Sequence, residues 1–164
     1  MNYLIREMLP DDWPMVRQIY QEAIDAGKST FRRECPTYAT WDNSHLSKCR
    51  FVVVVDNKVA GWCVLSPTSL VEAYQGVVEV SIYFAKDYRS KGLGTKLMNH
   101  LIIESEKNNY WCLYAAIFSI NEASINLHEK CGFRIIGHRQ KIARDRWDNW
   151  QDTTLLERRS TVIL

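Results

Sequence analysis

Residues 77–98, VVEVSIYFAKDYRSKGLGTKLM, decide how the rest of the chain is read. Val77 to Phe84 is apolar and β-branched, interrupted by Glu79 and Ser81, which is the pattern of a central strand. Alternation along a strand puts Glu79, Ser81 and Tyr83 on one face and Val78, Val80, Ile82 and Phe84 on the other. Arg89-Ser90-Lys91-Gly92-Leu93-Gly94 follows, with two cations, two flexible glycine positions and the first free amides of a helix. Backbone N–H groups at the positive end of a helix are what a pyrophosphate needs. The unit reads as a strand that carries a carboxylate towards a pocket, beside a turn that holds a phosphorylated cofactor.

Upstream, residues 3–8 read as a first strand. Asp11 is placed to cap a helix over residues 12–26, where Val16, Ile19, Tyr20, Ala23 and Ile24 share a face. Pro14 falls early enough in that helix to be tolerated, and Gly27 ends it. Residues 28–40 are irregular, and a short helix is expected over 41–48. Residues 51–55 and 59–65 flank Asp56-Asn57-Lys58, a hairpin signal because Asp and Asn tolerate turn conformations. Residues 66–75 read as a loop.

Downstream, Leu93, Leu97, Leu101 and Ile102 mark the buried side of a helix to about residue 107. A strand over 111–117, a helix over 121–131 closed by Gly132, and an antiparallel pair, 133–144 with 150–157, complete the chain. The order βααβββαβαββ predicts an α/β fold, a mixed sheet with helices on its faces and a parallel crossover through the helix after Gly94. A dinucleotide fold would set its glycine turn after the first strand, not the fourth. Gly92-Leu93-Gly94-Thr95-Lys96 also lacks the spacing of a P-loop.

The 164 residues suffice for one domain with a hydrophobic core, so residues 1–164 are taken as a single unit. A net charge of +2 does not suggest a nucleic-acid surface, and no stretch has the apolar length of a membrane span or signal peptide. The five cysteines form no C-x-x-C pair, which points to free thiols in a reducing cytoplasm. His45, His100, His128 and His138 are dispersed without the paired spacing of a metal site, so no metal is expected.

Arg89-x-x-Gly92-x-Gly94 after such a strand resembles the acetyl-coenzyme A signature, Q/R-x-x-G-x-G/A, of the GCN5-related N-acetyltransferase superfamily. Asn121-x-x-Ser124-x-x-x-His128-Glu129-x-x-Gly132-Phe133 resembles the second cofactor-side motif at the expected distance. Within the superfamily the chain is most similar to the phosphinothricin and methionine sulfoximine N-acetyltransferases. Phe31-Arg32-Arg33-Glu34 with Thr37 and Trp41 resembles their F-R-x-E…T…W stretch, and Glu79-Val80-Ser81-Ile82-Tyr83-Phe84 their E-S-T-V-Y-V strand. His128-Glu129 matches their M-H-E, and Asn149-Trp150-x-Asp152 their N-W-x-D. Many superfamily members carry a tyrosine where His128 stands, although the nearer subfamily shares the histidine; Thr95 occupies a position where a small residue is common.

The resemblance implies a cytoplasmic homodimer that moves acetyl from acetyl-coenzyme A to the amine of a small amino-acid-like substrate. The fourth and fifth strands would splay to admit the pantetheine arm, which Ile82, Tyr83 and Phe84 would bind as an added strand. Arg89, Ser90, Lys91, Gly92, Leu93, Gly94 and Thr95 would bind the pyrophosphate, and Asn121 and Ser124 the arm. Asn121, Ser124 and His128, spaced three and four apart, share one face of their helix.

An alkyl ammonium is mostly protonated near neutral pH, so the transfer needs a base. Glu79 is the only acid in the central strand and is either that base, directly or through water, or a structural carboxylate with a cationic partner. His128 either protonates the departing thiolate, assists in deprotonating the amine, or only packs. Phe31, Arg32, Tyr83, Arg144 and Trp150 are the substrate-side candidates, a guanidinium being the natural partner of an amino-acid carboxylate. Trp62 and Trp111 read as sheet packing. Cys112 and Cys131 have no dedicated base, which favours direct attack over a covalent enzyme intermediate. Three other readings stay open: acetylation of a polyamine, an antibiotic or a protein N-terminus; a non-catalytic acetyl-coenzyme A sensor or structural dimer; and an unrelated nucleotide-binding protein.

Overall fold

Asp56 and Asn57 both adopt positive φ (48° and 61°), the conformation that joins two antiparallel strands with the right-handed twist of a sheet. The strands they join, β2 (Phe51–Val55) and β3 (Lys58–Pro67), begin the meander at the heart of the fold. The structure, a computed structural model, describes residues 1–164. The other strands are β1 (Tyr3–Glu7), β4 (Val77–Phe84), β5 (Cys112–Phe118), β6 (Arg134–Arg144) and β7 (Trp150–Arg159). The helices are α1 (Trp13–Ala26), α2 (Tyr38–Ser44), α3 (Leu93–Lys107) and α4 (Glu122–Lys130). The seven strands form one sheet in the order β1-β2-β3-β4-β5-β7-β6. All pairs are antiparallel except β4 with β5, as the crossover through α3 requires. This is the mixed-sheet α/β order expected from the sequence.

The sheet buries both faces. Val16, Ile19, Tyr20 and Ile24 of α1 pack with Trp41 of α2 against Val52, Val59, Trp62 and Val64 on one side. Leu93, Leu97, Met98 and Leu101 of α3 lie against Val53, Leu65, Val78, Val80 and Leu113 on the other. Leu97, Met98 and Leu101 are fully buried, each contributing about 1.5–3 kcal/mol relative to an exposed position. Phe84 ties the layers: its ring fills the space beside Gly61, where a Cβ would lie 2.5 Å from it, and its edge is 3.8 Å from the corresponding point on Gly94. No helix is long and apolar enough to cross a membrane.

Several expectations are corrected. Asp11 caps nothing; a 3-10 turn over Pro10–Asp12 leads into α1, and the Asp12 carboxylate accepts from the Leu9 N–H (2.8 Å) and from both Arg6 nitrogens (2.8 and 2.9 Å). The short helix starts three residues earlier than expected because Thr37 Oγ1 caps it by accepting from Thr40 N–H. It stops at Ser44, beyond which the Arg50 guanidinium takes the carbonyls of Asp42, His45 and Leu46. The loop after β3 is shorter than expected, with β3 reaching Pro67 and a 3-10 turn at Glu72–Tyr74. Trp111 precedes β5 rather than opening it and lays its indole on Gly76.

Candidate active site

The fifth strand pairs with the fourth at only three positions, Val77 with Cys112, Val78 with Leu113 and Glu79 with Tyr114. Past Glu79 the two strands separate. Ala85 N–H donates to the Ala60 carbonyl (2.9 Å), which fixes the phase of β4 against β3. Odd-numbered residues of β4 therefore direct their backbone groups to β3, and Val80, Ile82 and Phe84 direct theirs to the opening. A cavity of about 280 Å³ fills the wedge, lined by residues 79–83 and 115–118 together with side chains from α1, α4, β7 and the irregular segment after α1.

Glu79 stands where the strands part. It is half-buried, burial is the sole cause that raises its carboxyl above the usual carboxylate range, and no cationic partner offsets this. Tyr20 and Tyr83 also line the cavity, their rings tilted against each other with centroids 5.1 Å apart, and burial raises both phenols, so their hydroxyls stay neutral.

Across the cavity, Asn121 caps α4 by accepting from Ser124 N–H (3.3 Å), and Asn121, Ser124 and His128 all face the cavity from one side of that helix. His128 is 2% exposed, with Nδ1 2.7 Å from the Ser124 carbonyl oxygen. A carbonyl only accepts, so Nδ1 carries the proton. Burial lowers the imidazole pKa, leaving a neutral ring whose Nε2 keeps its lone pair.

The remaining candidates divide by position. Phe31 lines the cavity and packs on Phe118 at 4.4 Å between centroids. Arg32 is exposed and outside the lining, but its charge acts on Tyr20 and Tyr83, at the cavity rim. Arg144 and Trp150 stack on each other (4.6 Å) at the base of the β6–β7 turn and do not reach the cavity. The turn of residues 89–95 forms the other end of the opening. There Arg89 Nε donates to the Phe84 carbonyl (3.0 Å), Lys91 lies over the Tyr88 ring, and Leu93 is buried. Ser90 and Gly92 take positive φ (60° and 77°). No side chain caps α3, so the amides of Leu93, Gly94 and Thr95 are open, and no atom lies within 4 Å of where a Gly92 Cβ would be.

The acetyltransferase (GNAT) family matches residues 13–133. The chain belongs to this family. As a GNAT enzyme it is an acetyl-coenzyme A-dependent N-acetyltransferase, and the chain shares the splayed sheet with solved relatives. An N-acetyltransferase from Staphylococcus aureus superposes with a TM-score of 0.86 at 28% identity, covering 97% of this chain and 99% of that one. A phosphinothricin acetyltransferase from Sinorhizobium meliloti, solved with acetyl-coenzyme A, gives 0.87 at 24% identity over 97% and 89%. In sequence, the L-methionine sulfoximine/L-methionine sulfone acetyltransferase of Pseudomonas aeruginosa is 28% identical over 96% of this chain and 94% of its own. The phosphinothricin N-acetyltransferase of Streptomyces viridochromogenes is 28% identical over 94% and 86%.

Acetyl-coenzyme A fits this GNAT chain: an uncapped helix N-terminus beside a glycine with free space suits a pyrophosphate, and an unpaired strand edge suits an amide-rich arm. Cys112 and Cys131 are buried, outside the cavity lining, and burial raises both thiols, as expected of packing residues. Sequence reasoning missed Tyr20, Thr30, Phe118 and Thr153, which also line the cavity. Strand alternation pairs Ser81 with Glu79 and so signals it, but nothing local marks Thr153, whose buried hydroxyl has no partner.

Proposed function

We propose that this enzyme acetylates the primary amine of a small amino-acid-like substrate of the phosphinothricin, methionine sulfoximine or methionine sulfone type by direct attack. The observation that carries the reading is the unpaired, burial-raised carboxyl of Glu79 at the point where β4 and β5 separate. Acetyl-coenzyme A supplies an activated acetyl thioester. The amides of Leu93, Gly94 and Thr95, with Ser90, Gly92 and the cations Arg89 and Lys91, hold its pyrophosphate. The backbone of Ile82 and Phe84, beside Tyr83, holds the pantetheine arm, with Asn121 and Ser124 opposite. The likeness along nearly the whole chain to enzymes named for these substrates supports the choice of amine.

Glu79 accepts one ammonium proton, directly or through one water. The freed nitrogen lone pair forms the C–N bond as the thioester C–S bond breaks, and a β4 amide facing the opening stabilises negative charge on the acyl oxygen. The departing coenzyme A thiolate takes up the second nitrogen proton through solvent. His128, with Nδ1–H committed to Ser124, presents Nε2 as an acceptor, which favours its assisting the amine's deprotonation over donating a proton in the resting state. Phe31 and Tyr83 flank the substrate, and Arg32 at the rim pairs with its carboxylate. Arg144 and Trp150, stacked on each other at the base of the β6–β7 turn, take no direct part in binding the amine. Residues 1–164 act as one catalytic domain. A homodimer belongs to the same reading, supported by the exposed Ile135, Ile136 and Ile142 on β6.

A second reading has its own observation. No Lys or Arg lines the cavity and Glu79 is its one acid, an environment that also suits an amine without a carboxylate, such as a polyamine. Coenzyme A thiol release from acetyl-coenzyme A, followed across amino acids, methionine sulfone and sulfoximine, phosphinothricin, polyamines and peptides, decides between them. Turnover on the amino-acid analogues, weakened by Arg32→Ala, is the expected result. Turnover on polyamines or peptides alone overturns it.

A further inference from the structure

Residues 28–36 give Ser29, Thr30 and Phe31 to the cavity wall, yet they lie outside every helix and strand and make no backbone–backbone hydrogen bond. Within the segment, Arg32 N–H donates to Thr30 Oγ1 (3.2 Å). Thr30 also sits beside the hydroxyls of Tyr20 and Tyr83, and Cys35 beside Arg17. The polar contacts of longest range that hold the segment and its junction with α1 come from the far end of the chain. Arg33 Nη2 donates to the Asp145 carbonyl at 3.2 Å. Arg146 Nη1 donates to the Ile24 carbonyl in the last turn of α1 and to Asp25 Oδ1, each at 3.0 Å. The Trp147 indole lies on Gly27, where a Cβ would come within 2.7 Å of Nε1.

The turn that provides these four contacts is itself braced by hydrogen bonds. Asp145 is 2% exposed, and its carboxylate accepts from Trp147 N–H (2.9 Å), Asn149 N–H (3.0 Å) and Gln151 Nε2 (2.8 Å). A segment without backbone bonds of its own takes its shape from what grips it. We propose that the turn at residues 145–149 is a clasp that fixes the amine-side wall of the cavity and so sets affinity for the amine. Arg33, Arg146 and Trp147 are its positioning residues. This rests on the assignment of the cavity as the amine site. Arg33 has particular reach, since anchoring it fixes the backbone that aims its neighbours Arg32 and Phe31.

Arg33→Ala and Trp147→Ala test the clasp in the full-length enzyme, both residues being exposed and neither part of the cavity lining. The KM for the amine is expected to rise roughly ten-fold in each, while kcat and the KM for acetyl-coenzyme A stay within about two-fold of wild type. Tryptic cleavage after Lys28 and Arg32 is expected to quicken, and Arg33→Lys to recover part of both effects. Unchanged cleavage would mean that the turn does not hold the segment. Quickened cleavage with an unchanged amine KM would mean that the segment is not the wall that sets affinity. A parallel rise in both KM values, or a lowered melting temperature without a KM split, would reduce the turn to a structural role and overturn the proposal. Absence of turnover on every amine in the wild type would sink the functional reading and the affinity half of this inference, while the cleavage rates still decide whether the clasp exists.

Discussion

Glu79→Gln keeps the shape of the side chain and removes its ability to accept a proton as a carboxylate. A free alkyl ammonium has a pKa of about 9–10, so at pH 7 only about one part in 10² to 10³ of the amine is unprotonated. With Glu79 as base the bound ammonium is productive; without it the enzyme must select that minor neutral fraction. The variant should therefore lose about 10²- to 10³-fold in kcat/KM at pH 7, within the usual range for general bases. The deficit should shrink about ten-fold per pH unit and nearly vanish as the amine deprotonates unaided. In wild type, the raised carboxyl moves the acidic limb of the profile above the usual carboxylate range. Thiol-release rates from pH 6 to about 9.5 measure both profiles. A deficit that does not change with pH, or a variant with the wild-type profile, would refute the base assignment. Stability has the opposite sign. A carboxyl whose folded pKa exceeds its unfolded value stabilises the fold only while protonated, so wild type loses stability as pH rises from the unfolded to the folded pKa. The amide variant escapes that loss and should melt higher than wild type at neutral pH, but not below the unfolded pKa.

His128→Asn keeps a side-chain N–H able to reach the Ser124 carbonyl and removes Nε2; kcat should fall at least about ten-fold with little change in the KM for acetyl-coenzyme A, and full activity would leave the residue a packing role. Gly92→Ala meets no atom but must adopt φ near 77°, a strain of about 1–2 kcal/mol, so a lower melting temperature and a raised KM for acetyl-coenzyme A are expected. Asp12→Asn breaks the doubly bonded Arg6 pair and should cost about 1–2 kcal/mol by urea unfolding, the partly exposed Arg6 limiting the loss. Because Arg6 and the Leu9 amide hold the Asp12 carboxyl below its ordinary value, that contribution is present above the unfolded pKa. It disappears as pH falls through the folded one, so the gap between wild type and variant should close in acid.

The elements that the sequence made legible are those with local causes. Alternation along β4, the apolar face of α3, the Asp56-Asn57 turn and the glycine turn after β4 are each written within a dozen residues, and together they gave the element order and the parallel crossover. The facing of Asn121, Ser124 and His128 followed from helical spacing alone. What escaped depends on side chains that reach in from a neighbouring element, or on residues remote in sequence. Asp12 caps Leu9 rather than α1 because Arg6 draws its carboxylate back to β1. Arg50 ends α2 from beyond it. The cavity wall at Thr30 and Phe31 has no periodic pattern, since its shape is imposed from positions more than a hundred residues away. Arg144 and Trp150 were read as substrate-side candidates, but nothing local shows that they stack on each other outside the cavity.

Phe84 carries a constraint that outlasts any one sequence. Its ring occupies the volume that a side chain at position 61 would need, and its far edge reaches the start of α3 at position 94. Positions 61 and 84 therefore share one parcel of space, which position 94 borders. Descendants of this chain that gain bulk at 61 must shrink at 84, and those that shrink at 84 loosen the helix that presents its amides to the donor. Drift at a plain hairpin glycine is thus harnessed to the grip on acetyl-coenzyme A, and positions 61 and 84 should change together or not at all.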